Sequence, residues 1–255
     1  MIRKHEPAAP ARKAPRRDKP EMTLDRVLSR AGIASRTQAA AMIAAGRVAV
    51  DGVVRRDPEI WVAPARQRIT LDGRELRQPR PLYFALHKPV GYITSHGDPE
   101  GRATIYDLLG NRGSWLFPVG RLDRDTSGLL LVTNDSVFAE RIANPALKVK
   151  KTYRVKVAPP LREKAVERLR GGLDIGRGER SAPARAEWLR GNERACWIEL
   201  EIGEGKNRQV RRMIEALGHR VEQLVRVRIG RLELGRLRPG ELRPIRPNDV
   251  FPGTP

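Results

Sequence analysis

Cysteine is all but missing from this chain of 255 residues: Cys196 stands alone, so no intrachain disulfide can form. A single Cys inside the apolar run Ala195-Cys196-Trp197-Ile198 fits a small core hydrophobe, and a reducing, cytoplasmic setting is expected. Histidine is scarce too, with four scattered residues and no Cys/His grouping at zinc spacing. There is no phosphate-binding P-loop and no Gly-x-Gly-x-x-Gly; Gly176-Arg177-Gly178 lacks the third glycine. Chemistry that needs neither metal nor cofactor is therefore expected. No run of about 18 apolar residues occurs, which excludes a spanning helix by length, and the basic N-terminus has no apolar stretch of the kind a secretory signal needs.

Acid is the other shortage. Against 50 Lys and Arg stand 30 Asp and Glu, a formal net charge of +20. An excess of this size suits a polyanionic partner, a nucleic acid or an anionic surface, although charge speaks to association and not to fold.

What is present falls into segments. Residues 1–20 carry Arg3, Lys4, Arg12, Lys13, Arg16, Arg17 and Lys19 among four prolines, with no apolar period, and read as a disordered basic tail. Residues 21–73 read as a small module. A helix carries Leu24, Val27, Leu28 and Ala31 up to Gly32, and Ser35-Arg36-Thr37-Gln38 forms a capping box for a second helix ended by Gly46. Val48 and Val50 then alternate into Asp51-Gly52, a tight hairpin turn, and a strand follows near Ile69. Residues 74–81, with Pro79 and Pro81 and no period, read as a linker. From 82 to 250 strands dominate, with helices between: Leu82–Leu86, Tyr92–Thr94, the apolar run Gly128–Thr133, alternation over Lys151–Val157 and again over Cys196–Ile202, and a helix from Pro160 to Gly171. The expected class is α+β with a mainly antiparallel sheet, preceded by the small α/β module.

Two stretches carry chemistry-bearing side chains. In Gly120-Arg121-Leu122-Asp123-Arg124-Asp125-Thr126-Ser127-Gly128 a charged turn runs straight into a wholly apolar strand, a common way to present a side chain to a ligand; the same carboxylates equally suit capping of backbone NH groups. In Gly205-Lys206-Asn207-Arg208-Gln209-Val210-Arg211-Arg212-Met213, Asn207 is expected to cap a helix whose apolar stripe is Val210, Met213, Ile214 and Leu217. Arg208, Arg211 and Arg212 then stand on the opposite face, either as solvated charge or as a clamp for phosphate or carboxylate. A third stretch, Lys150-Lys151-Thr152-Tyr153-Arg154, opens a strand, where Tyr153 would ordinarily be core.

Together with His87-Lys88-Pro89-Val90-Gly91 and Leu224-Val225-Arg226-Val227-Arg228-Ile229-Gly230, these stretches resemble, in order, the motifs of the RsuA-type ribosomal RNA pseudouridine synthases, over about 22–250. Residues 22–73 resemble the S-four-like RNA-binding domain. The sequence departs from the family pattern at Ser136, where glycine is usual, at Asn144, where His is common, and at Thr37, where a second Arg is common. The resemblance implies that Asp123 is the carboxylate attacking a flipped-out uridine, that Tyr153 stacks on its uracil, that Arg208 pairs with Asp123, and that Arg121 helps displace the base. Arg36, Arg47, Lys206, Arg211 and Arg212 are expected to contact RNA, the partner being ribosomal RNA, free or in an assembling subunit, and the enzyme a monomer. Two other classes compete: a non-catalytic RNA-binding assembly factor on the same fold, and a glycoside hydrolase using Asp123 and Asp125 as its carboxylate pair.

Overall fold

A computed structural model describes residues 21–76, 80–110, 112 and 115–251; the basic tail 1–20 and part of the linker lie outside the described residues. The chain divides into two compact units, Met1–Ser29 with Ala34–Arg77 and Arg30–Ile33 with Gln78–Pro255.

In the first unit β1 (Met22–Thr23) leads into α1 (Leu24–Arg30), followed by α2 (Arg36–Ala44), β2 (Val48–Val50), β3 (Val53–Arg55), β4 (Trp61–Val62), β5 (Ile69–Leu71) and β6 (Arg74–Glu75). The capping box forms as the sequence predicts: the Ser35 hydroxyl accepts from the Gln38 backbone N–H, and the Gln38 side chain accepts from the Ser35 backbone N–H. The β2–β3 turn has positive φ at both Asp51 (52°) and Gly52 (83°), which matches the twist of a two-residue hairpin. Leu24, Leu28, Ala39, Ile43, Val48 and Val50 close the core of this unit. Arg74 and Glu75, expected in the linker, instead pair with Thr70 and Leu71 as an edge strand.

The second unit holds β7 (Tyr83–Lys88), α3 (Tyr106–Leu109), β8 (Phe117–Val119), β9 (Ser127–Thr133), α4 (Ser136–Ala143), β10 (Lys151–Ala158), α5 (Glu163–Gly171), β11 (Arg185–Gly191), β12 (Cys196–Ile202), α6 (Gln209–Glu215), β13 (Arg220–Ile229), β14 (Leu232–Glu233), β15 (Leu242–Pro244) and α7 (Pro247–Val250). Its strands form one sheet in the order β11-β12-β10-β13-β9-β7-β15, with β8 on β9 and β14 on β13. Every pairing is antiparallel except β13 with β9. The fold is thus α+β with a mainly antiparallel sheet.

The parallel contact sits at the sheet's centre, and β9 is apolar for that reason. Leu129 and Leu131 pack into the core beneath α4, Leu130 and Val132 into the core with Ile105, Leu109 and Leu122, so both faces are covered. Gly128 makes the approach possible: at φ 109°, a Cβ there would lie 2.3 Å from the Arg226 carbonyl oxygen of β13. Tyr92–Thr94, expected as a strand, contributes only an isolated bridge between Ile93 and Thr104. Gly91 turns the chain at φ 95°, and the Thr94 hydroxyl is committed to the β8–β9 loop.

Candidate active site

The β8–β9 loop carries Asp123, and the segment after β7 fixes it in place. Leu122 is buried as an anchor. The Thr94 hydroxyl donates to the Leu122 carbonyl (2.8 Å) and accepts from its N–H (3.2 Å), satisfying both backbone groups next to Asp123. The Gly91 N–H donates to the Arg124 carbonyl (2.8 Å), and the Thr126 N–H closes a turn on the Asp123 carbonyl (3.1 Å). Lys88 is fully buried at the end of β7, its Nζ donating to the carbonyls of Pro89 and Thr126, both at 2.8 Å. Burial pushes the Lys88 ammonium down to about 8 despite the opposing pull of Asp125 and Asp123, and Arg226 lowers it further. Neither Lys88 nor Thr94 was singled out from the sequence as a site residue; a Lys at the end of an otherwise apolar strand was the available signal.

Strand register brings the rest together. Tyr153 on β10 lies opposite Arg226 on β13, Arg226 beside Gly128 on β9, and Gly128 opposite Lys88 on β7. These four positions run abreast across adjacent strands, and Gly128 among them follows Asp123 by five residues. A register irregularity between Thr152 and Tyr153 places Tyr153 against Arg226, a local re-aiming of the kind bulges produce beside sites.

Arg208 is the cation of the site, though not as a helix-face residue. It precedes α6 in the left-handed conformation (φ 47°), one residue after the expected cap Asn207, and this backbone points it away from the helix. Its guanidinium lies 3.4 Å from Asp123 Oδ2 and 3.4 Å from both carboxylate oxygens of Asp125. Desolvation works against its charge, but hydrogen bonding and the charge of Asp125, then Asp123, leave the Arg208 pKa raised. Both side chains of the Arg208–Asp123 pair stay partly open to solvent, 42% and 35% exposed, so the cation is within reach of an incoming ligand.

Of the two arrangements open for Arg211 and Arg212, solvated charge or a clamp, the structure shows both committed to protein groups. Arg211 is buried; its Nη2 donates to the Asp125 carbonyl (2.9 Å) and lies 3.1 Å from Asp125 Oδ2. Desolvation lowers its pKa. Arg212 spends its guanidinium on the carbonyls of Ile175 (2.8 Å) and Gly176 (2.6 Å) and on Glu179, clamping the 175–179 turn. The cause is packing: α6 lies against β13 and the β8–β9 loop, so its polar side meets protein.

Lys206 reaches the Arg180 carbonyl and stands 3.5 Å from Glu204. Arg121 is exposed and has no ion pair among the described residues. In the first unit Arg36 pairs with Asp25 (2.7 Å) and Arg47 with Asp72 (2.6 Å), both guanidiniums remaining substantially exposed.

Asp123, Tyr153, Arg121, Lys206, Arg208, Arg211 and Arg226 line one cavity of about 380 Å³. Larger depressions, about 490 and 480 Å³, surround Trp197 on the other face of the sheet. Their carboxylates Glu199 and Glu222 are already paired with Arg154 and Lys156, and neither depression contains Asp123 or Tyr153. Among the described residues no group of three or more His, Cys, Asp or Glu is placed to hold a metal ion, and no helix is long and apolar enough to cross a membrane.

The family model described as RNA pseudouridylate synthase matches residues 82–216, and the S4 domain model matches 22–62. The chain is 40% identical over 207 residues to ribosomal large subunit pseudouridine synthase B of Bacillus subtilis (strain 168), covering 80% of this chain and 83% of that protein. It is 41% identical over 211 residues to ribosomal small subunit pseudouridine synthase A of Vibrio parahaemolyticus, covering 82% and 89%. A solved structure titled "Crystal structure of pseudouridylate synthase" superposes with a TM-score of 0.65 at 30% identity, over 90% of this chain and 98% of the other.

Proposed function

Because this chain belongs to the RNA pseudouridylate synthase family, we propose that it converts a specific uridine of ribosomal RNA to pseudouridine, with the Asp123 carboxylate attacking a flipped-out nucleotide. The observation that carries this reading is the convergence, in one cavity, of Asp123, the Arg208 guanidinium at 3.4 Å from it, and Tyr153 on a neighbouring strand. Similar proteins named for both large- and small-subunit ribosomal RNA, the S4 match and the charge of +20 support ribosomal RNA as the partner.

The chemistry breaks the N1–C1′ bond, turns the base and re-forms the bond through C5. A carboxylate suits the electron-deficient sugar that results, as nucleophile or as ion partner. Arg208 gives that carboxylate a cationic partner at 3.4 Å, while the buried Arg211 ties down Asp125 and hence the loop. Tyr153 gives the extruded uracil a stacking surface and stands where a proton at C5 can be taken. Extrusion from a duplex costs a few kcal/mol; the exposed Arg121 beside the cavity, with Arg36 and Arg47 of the first unit, contributes phosphate contacts toward that cost.

The test is pseudouridine mapping in ribosomal RNA from a strain lacking the gene, complemented by wild type or by Asp123→Asn. One site should vanish, return with wild type and stay absent with Asp123→Asn. An unchanged map, or rescue by the Asn variant, overturns the reading.

A further inference from the structure

Thr126 Oγ1, Arg211 Nε and Arg226 Nη2 are buried without a hydrogen-bond partner, and all three residues line the Asp123 cavity. Arg226 is the one whose role the mechanism above leaves open. It is 5% exposed. Its Nε donates to the Leu129 carbonyl at 2.7 Å, which fixes the guanidinium plane, and no carboxylate pairs with it among the described residues. A buried cation without a counter-ion is costly, so its presence calls for an anionic occupant. The neighbours sharpen the demand: Lys151 lines the same cavity, and the Arg226 charge bears on it.

Position says which anion. Arg226 stands between Tyr153, its cross-strand neighbour on β10, and Gly128, which follows the Asp123 loop on β9. Opposed residues on adjacent strands have side chains within contact distance on one face. A base lying on Tyr153 therefore has the Arg226 guanidinium at its edge, on the way to Asp123. A phosphate would call for a cation at the mouth of the cavity, where Arg121 already is; Arg226 is inside.

Resting on the functional reading above, we infer that Arg226 stabilises the detached uracil as its anion, donating from Nη2 to the ring as the glycosidic bond breaks. In that step the N1–C1′ electron pair leaves with the base and spreads over N1 and its carbonyl oxygens. The electron-deficient C1′ is met by the Asp123 carboxylate. When C5 bonds to C1′, the Asp123 carboxylate is released and the ring charge is consumed; the C5 proton then leaves to solvent and N1 takes one up from solvent, so that overall one proton moves from C5 to N1. Nη2 is shielded from water, where a donor acts most strongly on developing charge.

The experiment compares wild type with Arg226→Met on two ribosomal RNA transcripts, one with uridine and one with 5-fluorouridine, whose base leaves more readily as an anion. Wild-type turnover on the uridine transcript is measured first; its absence overturns the functional reading and not the role of Arg226. With uridine, Arg226→Met should lower kcat about 100-fold, the scale for removing one donor to a developing anion, with KM changed less than about 3-fold. With 5-fluorouridine, followed as loss of the starting nucleoside in single-turnover digests, the loss should shrink to about 10-fold or less. Equal losses on both transcripts, or an effect confined to KM, overturn the inference. Thermal melting checks the fold; should the Met variant not fold, Arg226→Lys is run on the same pair, where a smaller loss that again shrinks with 5-fluorouridine supports the role and equal losses refute it.

Discussion

A buried lysine with no ion pair among the described residues is an unusual thing for a stable domain to keep, and Lys88 shows what it is for. It completes the hydrogen bonding of the Pro89 and Thr126 carbonyls and places a positive charge under Asp123 and Asp125. Its folded-state pKa, about 8, lies below the ordinary 10.5. Between those values the unfolded chain binds a proton that the folded chain does not, so this group's destabilising contribution is full below about 8 and disappears as pH rises through 10.5. Wild type should therefore gain about 2 to 3 kcal/mol relative to Lys88→Met between pH 7.5 and 10.5, read from urea unfolding at both pH values; a constant difference contradicts a depressed lysine. Thr94 makes the complementary case. Thr94→Val leaves the Leu122 N–H and carbonyl unpaired in the core, so it should cost about 1 to 3 kcal/mol and lower kcat more than it raises KM, as expected where a loop loses its seat. Asp123 stands out in the sequence because its motif is contiguous, and the structure brings it into one cavity with Tyr153 and Arg208. Lys88 lies in a motif that carries the resemblance, but its burial does not show in the sequence, and Thr94 leaves no local pattern because its hydroxyl binds a backbone 28 residues away.

At the scale of elements, local signals held where local physics decides. The Ser35 box, the Asp51-Gly52 turn and the apolar run of β9 each follow from neighbours in the chain and form as expected. They failed where tertiary contact decides. The 3.6-residue period placed Arg208, Arg211 and Arg212 on one helix face opposite the apolar stripe, but α6 starts after a left-handed Arg208 and presses its polar side against the β8–β9 loop and the 175–179 turn. The row Lys88, Gly128, Arg226, Tyr153 is equally invisible to periodicity, since strand register is a property of pairing and not of any one strand. Two substitutions check this account. Gly128→Ala puts a Cβ 2.3 Å from the Arg226 carbonyl at a positive φ, so it should cost more than about 3 kcal/mol and reduce activity with it. Arg212→Ala should shift the unfolding midpoint, by about 1 to 3 kcal/mol for the carbonyls and Glu179 it abandons, and leave the salt dependence of RNA affinity unchanged. A lowered salt slope with unaltered stability would restore Arg212 as a phosphate contact.

For the whole molecule the governing quantity is charge. An excess of +20 spread over one chain makes RNA affinity steeply dependent on salt, with a slope near 0.9 per neutralised phosphate on duplex and about 0.7 on single strands. The excess is not spread evenly. Residues 1–20 hold seven basic and two acidic residues, a net +5 of the +20. Guanidiniums elsewhere are spent inside the fold, Arg211, Arg212 and Arg226 among them. Removing residues 1–20 should accordingly raise the dissociation constant at low salt and reduce the log–log salt slope by up to about 4, with kcat at saturating RNA unchanged because Asp123, Tyr153 and Arg208 belong to the second unit. Arg121→Ala, at the cavity and free of protein partners among the described residues, should reduce the slope by only about one unit while also lowering kcat, since a contact beside the extruded base serves the flipping step itself. Binding titrations from low to high salt, run beside saturated turnover, separate the two: a tail deletion that lowers kcat, or an Arg121 variant that alters affinity alone, would mean that charge is divided between docking and catalysis otherwise than the cavity indicates.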